Sequence, residues 1–311
     1  MLARPGASLP TPWTPARCRA REARGLKRRS GPERGQENVS VPARKEVEPS
    51  PPGVPGAVTD TELVEAFDVD FAGAQGTRIN GYLARPAGAA RPIPGMIVIH
   101  EAGGLREHIR DVTNRFAAAG FLALGVDLYT REGGPPPTDD MQAVMARLFS
   151  MSDATVVGDL AGAADFLRSH GECSGRVGCI GFCMGGRHTL LFACMGEHLD
   201  AAVDCWGGFI DKATFEQRST SERPTPPLEI ADRLSCPLLA AIGAEDGNPS
   251  PAVGEQLRAR ALQSGQEVKV DVYEGAGHAF FADYRPTYRP GPAAKLWAEI
   301  LPFLQRHLAG A

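Results

Sequence analysis

No stretch of this sequence approaches the roughly 18 consecutive apolar residues of a membrane-spanning helix, so an integral membrane role is not expected. Near its start it also lacks the apolar segment of about 7–15 residues that marks a secretory signal. Closely paired cysteines are missing as well. The seven, Cys18, Cys173, Cys179, Cys183, Cys194, Cys205 and Cys236, contain no C-x-x-C, which argues against a zinc ribbon or a thioredoxin-type redox site. With no secretion signal, reduced thiols and a cytoplasmic location are expected, most of the cysteines being small buried side chains. Positive charge is in short supply too: 33 Lys/Arg against 37 Asp/Glu give a net charge of -4, so nucleic acid is not expected as a partner. No unit repeats with a period of about 20–50 residues, which excludes solenoids and propellers.

Hydrophobic residues at 43% and charged residues at 23% describe an ordinary globular protein with enough apolar side chains for a core. Charge is unevenly placed. Residues 1–58 carry 11 Lys/Arg against 5 Asp/Glu, and the remainder 22 against 32, so an acidic body follows a basic leader. The leader is rich in Pro, Arg, Gly and Ser, has no apolar periodicity, and is expected to be unstructured. Glu22, Glu33, Glu37 and the many prolines spoil the acid-poor pattern of a transit peptide, and an unstructured extension or misjudged start codon is preferred to a nucleic-acid arm at Lys27-Arg28-Arg29. Residues 59–311 are expected to form one domain.

From residue 63 onward, apolar runs alternate with amphipathic segments. Strands are expected over 65–71, 78–84, 95–100, 121–126, 176–180, 201–205, 238–242 and 268–273, the first two as an antiparallel hairpin. Helices are expected over 111–119, 154–169, 188–194, 254–263 and 293–308. Strands separated by helix-length segments imply βαβ units, hence an α/β fold with a mostly parallel central sheet and helices on both faces.

Between the strand ending at Ile180 and a helix starting near Met184 lies Gly181-Phe182-Cys183-Met184-Gly185-Gly186. A glycine two before and two after a nucleophile, at a strand-to-helix junction, is the nucleophile elbow of the α/β-hydrolase fold. The turn sets Cys183 at a helix N-terminus, where the dipole and free N–H groups favour a thiolate. In that fold an acid and then a histidine follow, each beyond a later strand. Gly243-Ala244-Glu245-Asp246 and Gly275-Ala276-Gly277-His278 stand in those places. Glu245 competes with Asp246 for the acid, and Asp246 is preferred for its place in the loop. His278 would be base and proton shuttle, and Asp246 would fix its tautomer. The loop His100-Glu101-Ala102-Gly103-Gly104 should supply one oxyanion N–H from Ala102, with the other from Met184, and should put Glu101 within reach of Cys183.

These residues resemble the dienelactone hydrolase family, also called carboxymethylenebutenolidases. The resemblance spans about residues 63–307. It rests on Ile97-Val98-Ile99-His100-Glu101, Ile109-Arg110-Asp111-Val112 with Ala117-Ala118-Ala119-Gly120, Val126-Asp127-Leu128-Tyr129, the elbow, and residues 275–281. Cysteine in place of serine makes the match specific. The resemblance implies acyl transfer to Cys183 from a small-molecule lactone or ester, with no metal or organic cofactor, in a monomer or small homo-oligomer. It implies too that Glu101 accepts the thiol proton when substrate binds. Where well-known members place an arginine and a tyrosine for a substrate carboxylate, residues 141–145 are mostly apolar, and the position four after His278 is Ala282. Arg285, Phe280 and Trp206 are the remaining substrate-binding candidates, Arg285 resembling another branch of the family. A general carboxylesterase for uncharged esters and a non-catalytic binding protein on the same scaffold are the rival readings.

Overall fold

The structure, a computed structural model, describes residues 43–89, 92–196, 199–215 and 220–309. The chain opens with β1 (Arg44–Lys45), β2 (Val64–Ala72), β3 (Arg78–Pro86), β4 (Ile93–Ile99), α1 (Glu107–Ala118) and β5 (Leu122–Val126). Next come α2 (Met141–Ser150), α3 (Asp153–Ser169), β6 (Cys173–Phe182), α4 (Met184–Cys194), β7 (Ala201–Cys205) and α5 (Lys212–Phe215). The last elements are β8 (Leu238–Gly243), α6 (Pro251–Ala261), β9 (Val268–Tyr273) and α7 (Pro290–Leu308). Their strands form one nine-stranded sheet in the order β1-β2-β3-β5-β4-β6-β7-β8-β9. From β5 across to β9 every pairing is parallel, and the β1, β2, β3 side is antiparallel.

The central strands are apolar nearly throughout because both their faces are covered. Along β4, Ile97 and Ile99 enter the core layer that holds Leu160, Leu167 and Leu190 of α3 and α4. Met96 and Val98 enter the opposite layer, with Phe116 of α1 and Trp297, Ile300 and Phe303 of α7. This is the two-residue alternation of a strand, carried out against helices on both sides. Helix α4 is buried along its whole length, its Arg187 included. The parallel strands share a direction, and their carboxyl ends meet at one edge, where ligands of open α/β sheets bind.

The expected sheet and hairpin are present, with differences at element ends. Helix α1 begins at Glu107, earlier than expected, where Arg106 is fixed by its guanidinium to the Gly103 and Pro136 carbonyls. A larger correction concerns the chain before residue 59. Residues 1–42 of the expected leader lie outside the described residues, whereas residues 43–58 are packed onto the domain. Arg44 and Lys45 pair with Phe67 and Ala66 of β2. Val47 and Val58 join a small core with Val64, Ala66, Tyr82 and Ala84. The Ser50 hydroxyl accepts from the Val58 N–H at 2.9 Å and donates to Asp111. This strap is neither helix nor long strand, so its apolar residues show no period. Its prolines hide a segment that packs through three separate valines, Val54 included.

Candidate active site

At the end of β6 the backbone turns so sharply that Cys183 adopts φ 54° and ψ -114°. A side chain at positive φ is strained, and such strain persists only where the surroundings enforce it. Here they do: the Cys183 N–H donates to the Cys205 carbonyl of β7 at 3.0 Å. A Cβ on Gly181 would overlap the Gly185 carbonyl, and one on Gly185 would overlap the Ile99 carbonyl. Glycine is therefore required at both by close backbone approach. Cys183 is the N-cap of α4, and Met184 is its first helical residue, whose N–H has no partner one turn earlier in the helix.

Beyond β8, the Asp246 N–H donates to the Gly243 carbonyl, and one Asp246 oxygen accepts from the Asn248 N–H at 2.9 Å. Its other oxygen lies 2.9 Å from His278 Nδ1. Glu245 is exposed, its N–H donating to the Ala276 carbonyl, so the acid brought to the histidine is Asp246. Cys183 lines the same cavity as His278 and acts on it electrostatically. Burial disfavours the charged imidazole, but the bond to Asp246 and the interaction with Cys183 outweigh it and push its pKa up to about 10.

Glu101 is placed differently from the expected contact with the sulfur. Its carboxylate accepts from Arg285 Nη2 at 2.7 Å and from the Tyr284 hydroxyl, while Arg285 Nε donates to that same hydroxyl at 2.8 Å. Among the described residues these, and not Cys183, are its hydrogen-bond partners. Arg285, expected to receive a substrate anion, holds a carboxylate of the protein itself, and Glu101 raises the guanidinium pKa despite burial. Two residues of this loop system had no role from sequence. Buried His100 accepts the Leu128 N–H at Nε2 (3.1 Å), so its Nδ1 donates to the Glu101 carbonyl at 2.7 Å. Burial lowers its pKa and keeps it neutral. The Tyr129 hydroxyl lies 3.1 Å from the Ala102 carbonyl and 3.4 Å from the Met184 sulfur, tying together the two residues expected to line an oxyanion hole. Val126-Asp127-Leu128-Tyr129 carried the sequence signal for it, as a motif without a function.

A cavity of about 350 Å³ opens over the elbow. Cys183, Met184, Asp246 and His278 line it together with Leu148, Arg187, Phe209 and Asn248. Arg285, Phe280 and Trp206, the expected substrate-binding residues, do not. Trp206 and Phe280 are buried with ring centroids 4.7 Å apart, in an aromatic layer that includes Phe182, Phe281 and Tyr273. Their sequence positions beside the strand ends were right, but both rings turn inward. Among the described residues no group of three or more His, Cys, Asp or Glu could hold a metal ion, and no helix is long and apolar enough to cross a membrane.

A parallel sheet with this elbow after its central strand, and with acid and histidine beyond two later ones, is the architecture of the α/β-hydrolases. Residues 79–308 match the dienelactone hydrolase family. The chain belongs to that family. An Escherichia coli (strain K12) protein named "Putative carboxymethylenebutenolidase" is 35% identical over 234 residues, 75% of this chain and 84% of its own. A Bradyrhizobium protein named "Probable 2-oxo-3-(5-oxofuran-2-ylidene)propanoate lactonase" is 30% identical over 251 residues, covering 80% of this chain and 98% of its own. The crystal structure of a Klebsiella pneumoniae "Putative Dienelactone Hydrolase" superimposes with a TM-score of 0.72 at 33% identity, over 78% of this chain and 99% of that one.

Proposed function

We propose that this hydrolase opens lactones or cleaves carboxylic esters through a covalent thioester on Cys183, with His278 and Asp246 as its partners. The observation that carries the reading is the 2.9 Å link from His278 Nδ1 to Asp246, with Cys183 beside them in the lining of one cavity. The Cys183 proton moves to His278, and the thiolate attacks the substrate carbonyl carbon. The Ala102 and Met184 N–H groups receive the resulting oxyanion, each such donor being worth about 3–4 kcal/mol in the transition state. The C–O bond breaks, His278 returns its proton to the leaving alkoxide, and the acyl group stays on sulfur. With the thiolate gone, His278 loses one of the two partners that raised its pKa. It becomes the neutral base that takes a proton from water, and hydroxide addition releases the acid and restores Cys183.

In this resting arrangement Glu101 is engaged by Arg285 and Tyr284, so the thiol proton passes to His278 and Glu101 steadies the loop. The test is a panel of lactones and aryl esters. Cys183→Ala should lower turnover by at least about 10⁴-fold, and a Cys183→Ala protein with wild-type turnover would refute the assignment. Uncharged esters are favoured as a second reading by Glu101 already occupying Arg285. A binding protein without chemistry would instead show stoichiometric alkylation of Cys183 and no turnover on any panel member. A small-molecule substrate, a cytoplasmic setting and a monomer or small homo-oligomer fit this reading.

A further inference from the structure

One wall of the cavity is built by Leu148 from α2 and Phe209 from the loop after β7, with Met184 beside them. Against this wall lies a buried ionic cluster that the chemistry above does not use, with Arg187 also lining the cavity. Arg187, four residues past Cys183 on α4, donates both terminal nitrogens to Asp153 at the start of α3, at 2.6 and 2.9 Å. Arg223 Nε lies 3.8 Å from the same carboxylate. Its Nη1 donates to the Leu148 carbonyl at 3.2 Å, and its guanidinium lies over the Phe149 ring at 4.8 Å. Phe149 in turn meets Phe209 edge-on, 5.2 Å between centroids. All three charged side chains are buried. Removing such charges from water is costly unless their geometry is well satisfied, so a cluster of this kind fixes the relative placement of what it joins. It joins the elbow helix, the start of α3 and the end of α2.

We propose that the cavity receives an uncharged, apolar acyl group, that Leu148 and Phe209 set how long it can be, and that Arg223 is the positioning residue holding this wall over Cys183. The proposal rests on the thioester reading above. His278 must face the departing alkoxide to protonate it, so the half of the substrate that stays on sulfur points away from His278, toward Leu148 and Phe209. A carboxylate on that half would meet aliphatic and aromatic carbon, and near it an arginine already bidentate on Asp153. At about 350 Å³ the space is at the small end for ligand pockets, which suits a short acyl chain.

The test uses the full chain and 4-nitrophenyl acetate, butyrate, hexanoate and octanoate, with the mono-4-nitrophenyl ester of succinate as the charged counterpart of the butyrate. For wild type, kcat/KM should rise about three- to fourfold per added methylene until the wall is reached. The succinate ester should fall at least about tenfold below the butyrate, because its carboxylate would be buried without a partner. Leu148→Ala should move the optimum to a longer chain. Arg223→Met should flatten the length profile chiefly through KM, while iodoacetamide alkylates Cys183 at the wild-type rate, and Arg223→Lys should restore part of the profile. A wild-type preference for the succinate ester overturns the proposal, and so does a length profile unchanged in Leu148→Ala. If Arg223→Met does not fold, the wild-type series and Leu148→Ala still decide. Turnover of these esters by Cys183→Ala would instead indict the thioester reading, leaving the two failures distinguishable.

Discussion

Cys183 and Leu148 line the same cavity, yet they are held there by different means. Cys183, Asp246 and His278 follow the ends of parallel strands, where neighbouring backbones lock the turns. Leu148, Phe209 and the 283–288 loop are fixed by side chains, through the Arg223 and Arg285 guanidiniums. The first region leaves no room for change, and its cysteine is strained in place. The second includes exposed Met141 and Tyr284 and can be altered one contact at a time. On the proposed reading, chemistry is placed on the part of the fold that cannot vary, and selectivity on the part that can.

The sharpest way to break this contrast is Gly185→Ala. Its methyl would press on the Ile99 and His100 carbonyls, so activity should fall by more than about 10³-fold and Tm by more than about 10 °C. Retained activity would show the elbow to be as tolerant as the wall. Glu101→Gln should cost less, on the order of tenfold in kcat/KM, with His278→Ala costing about 10³-fold or more. Equal losses would return the thiol proton to Glu101. Smaller still is the effect of the strap: a chain starting at Thr59 should melt about 5–10 °C below one starting at Ala43, measured by calorimetry.

The subtlest measurement follows His278 by NMR. Its imidazole should titrate near the raised value of about 10 in wild type and markedly lower in Cys183→Ala, where one of its two stabilising partners is gone. Because the folded value lies above that of a free histidine, His278 contributes stability in full below about pH 6.5, and loses it as pH climbs through about 10. A Cys183→Ala variant with an unchanged imidazole titration would break the proposed thiolate–imidazolium pair.

Much of the first region was legible in sequence, because backbone constraints leave residue-type signatures. Gly181, Gly185, the buried runs before Cys183 and Glu245, and the alternating strand before Gly275 could each be read in one dimension. The second region was not, because it depends on charges that pair across long separations. Arg223 is 75 residues from the carbonyl it holds, and Arg285 is 184 from Glu101. Trp206 and Phe280 show the same limit from the other side: a strand end fixes where a residue stands, not which way an aromatic ring turns. The strap was missed because three valines among prolines carry no period, although each is buried.

Arg115 joins these regions to the start of the domain. Its guanidinium reaches the Pro55 carbonyl, Asp111 and Asp283, the residue just before the pair that grips Glu101. Peptide near residue 55 and the loop that holds Glu101 are therefore tethered to one cation. Proteolytic nicking of that outer ribbon, far from any reacting atom along the chain, would loosen the clasp on Glu101 from behind.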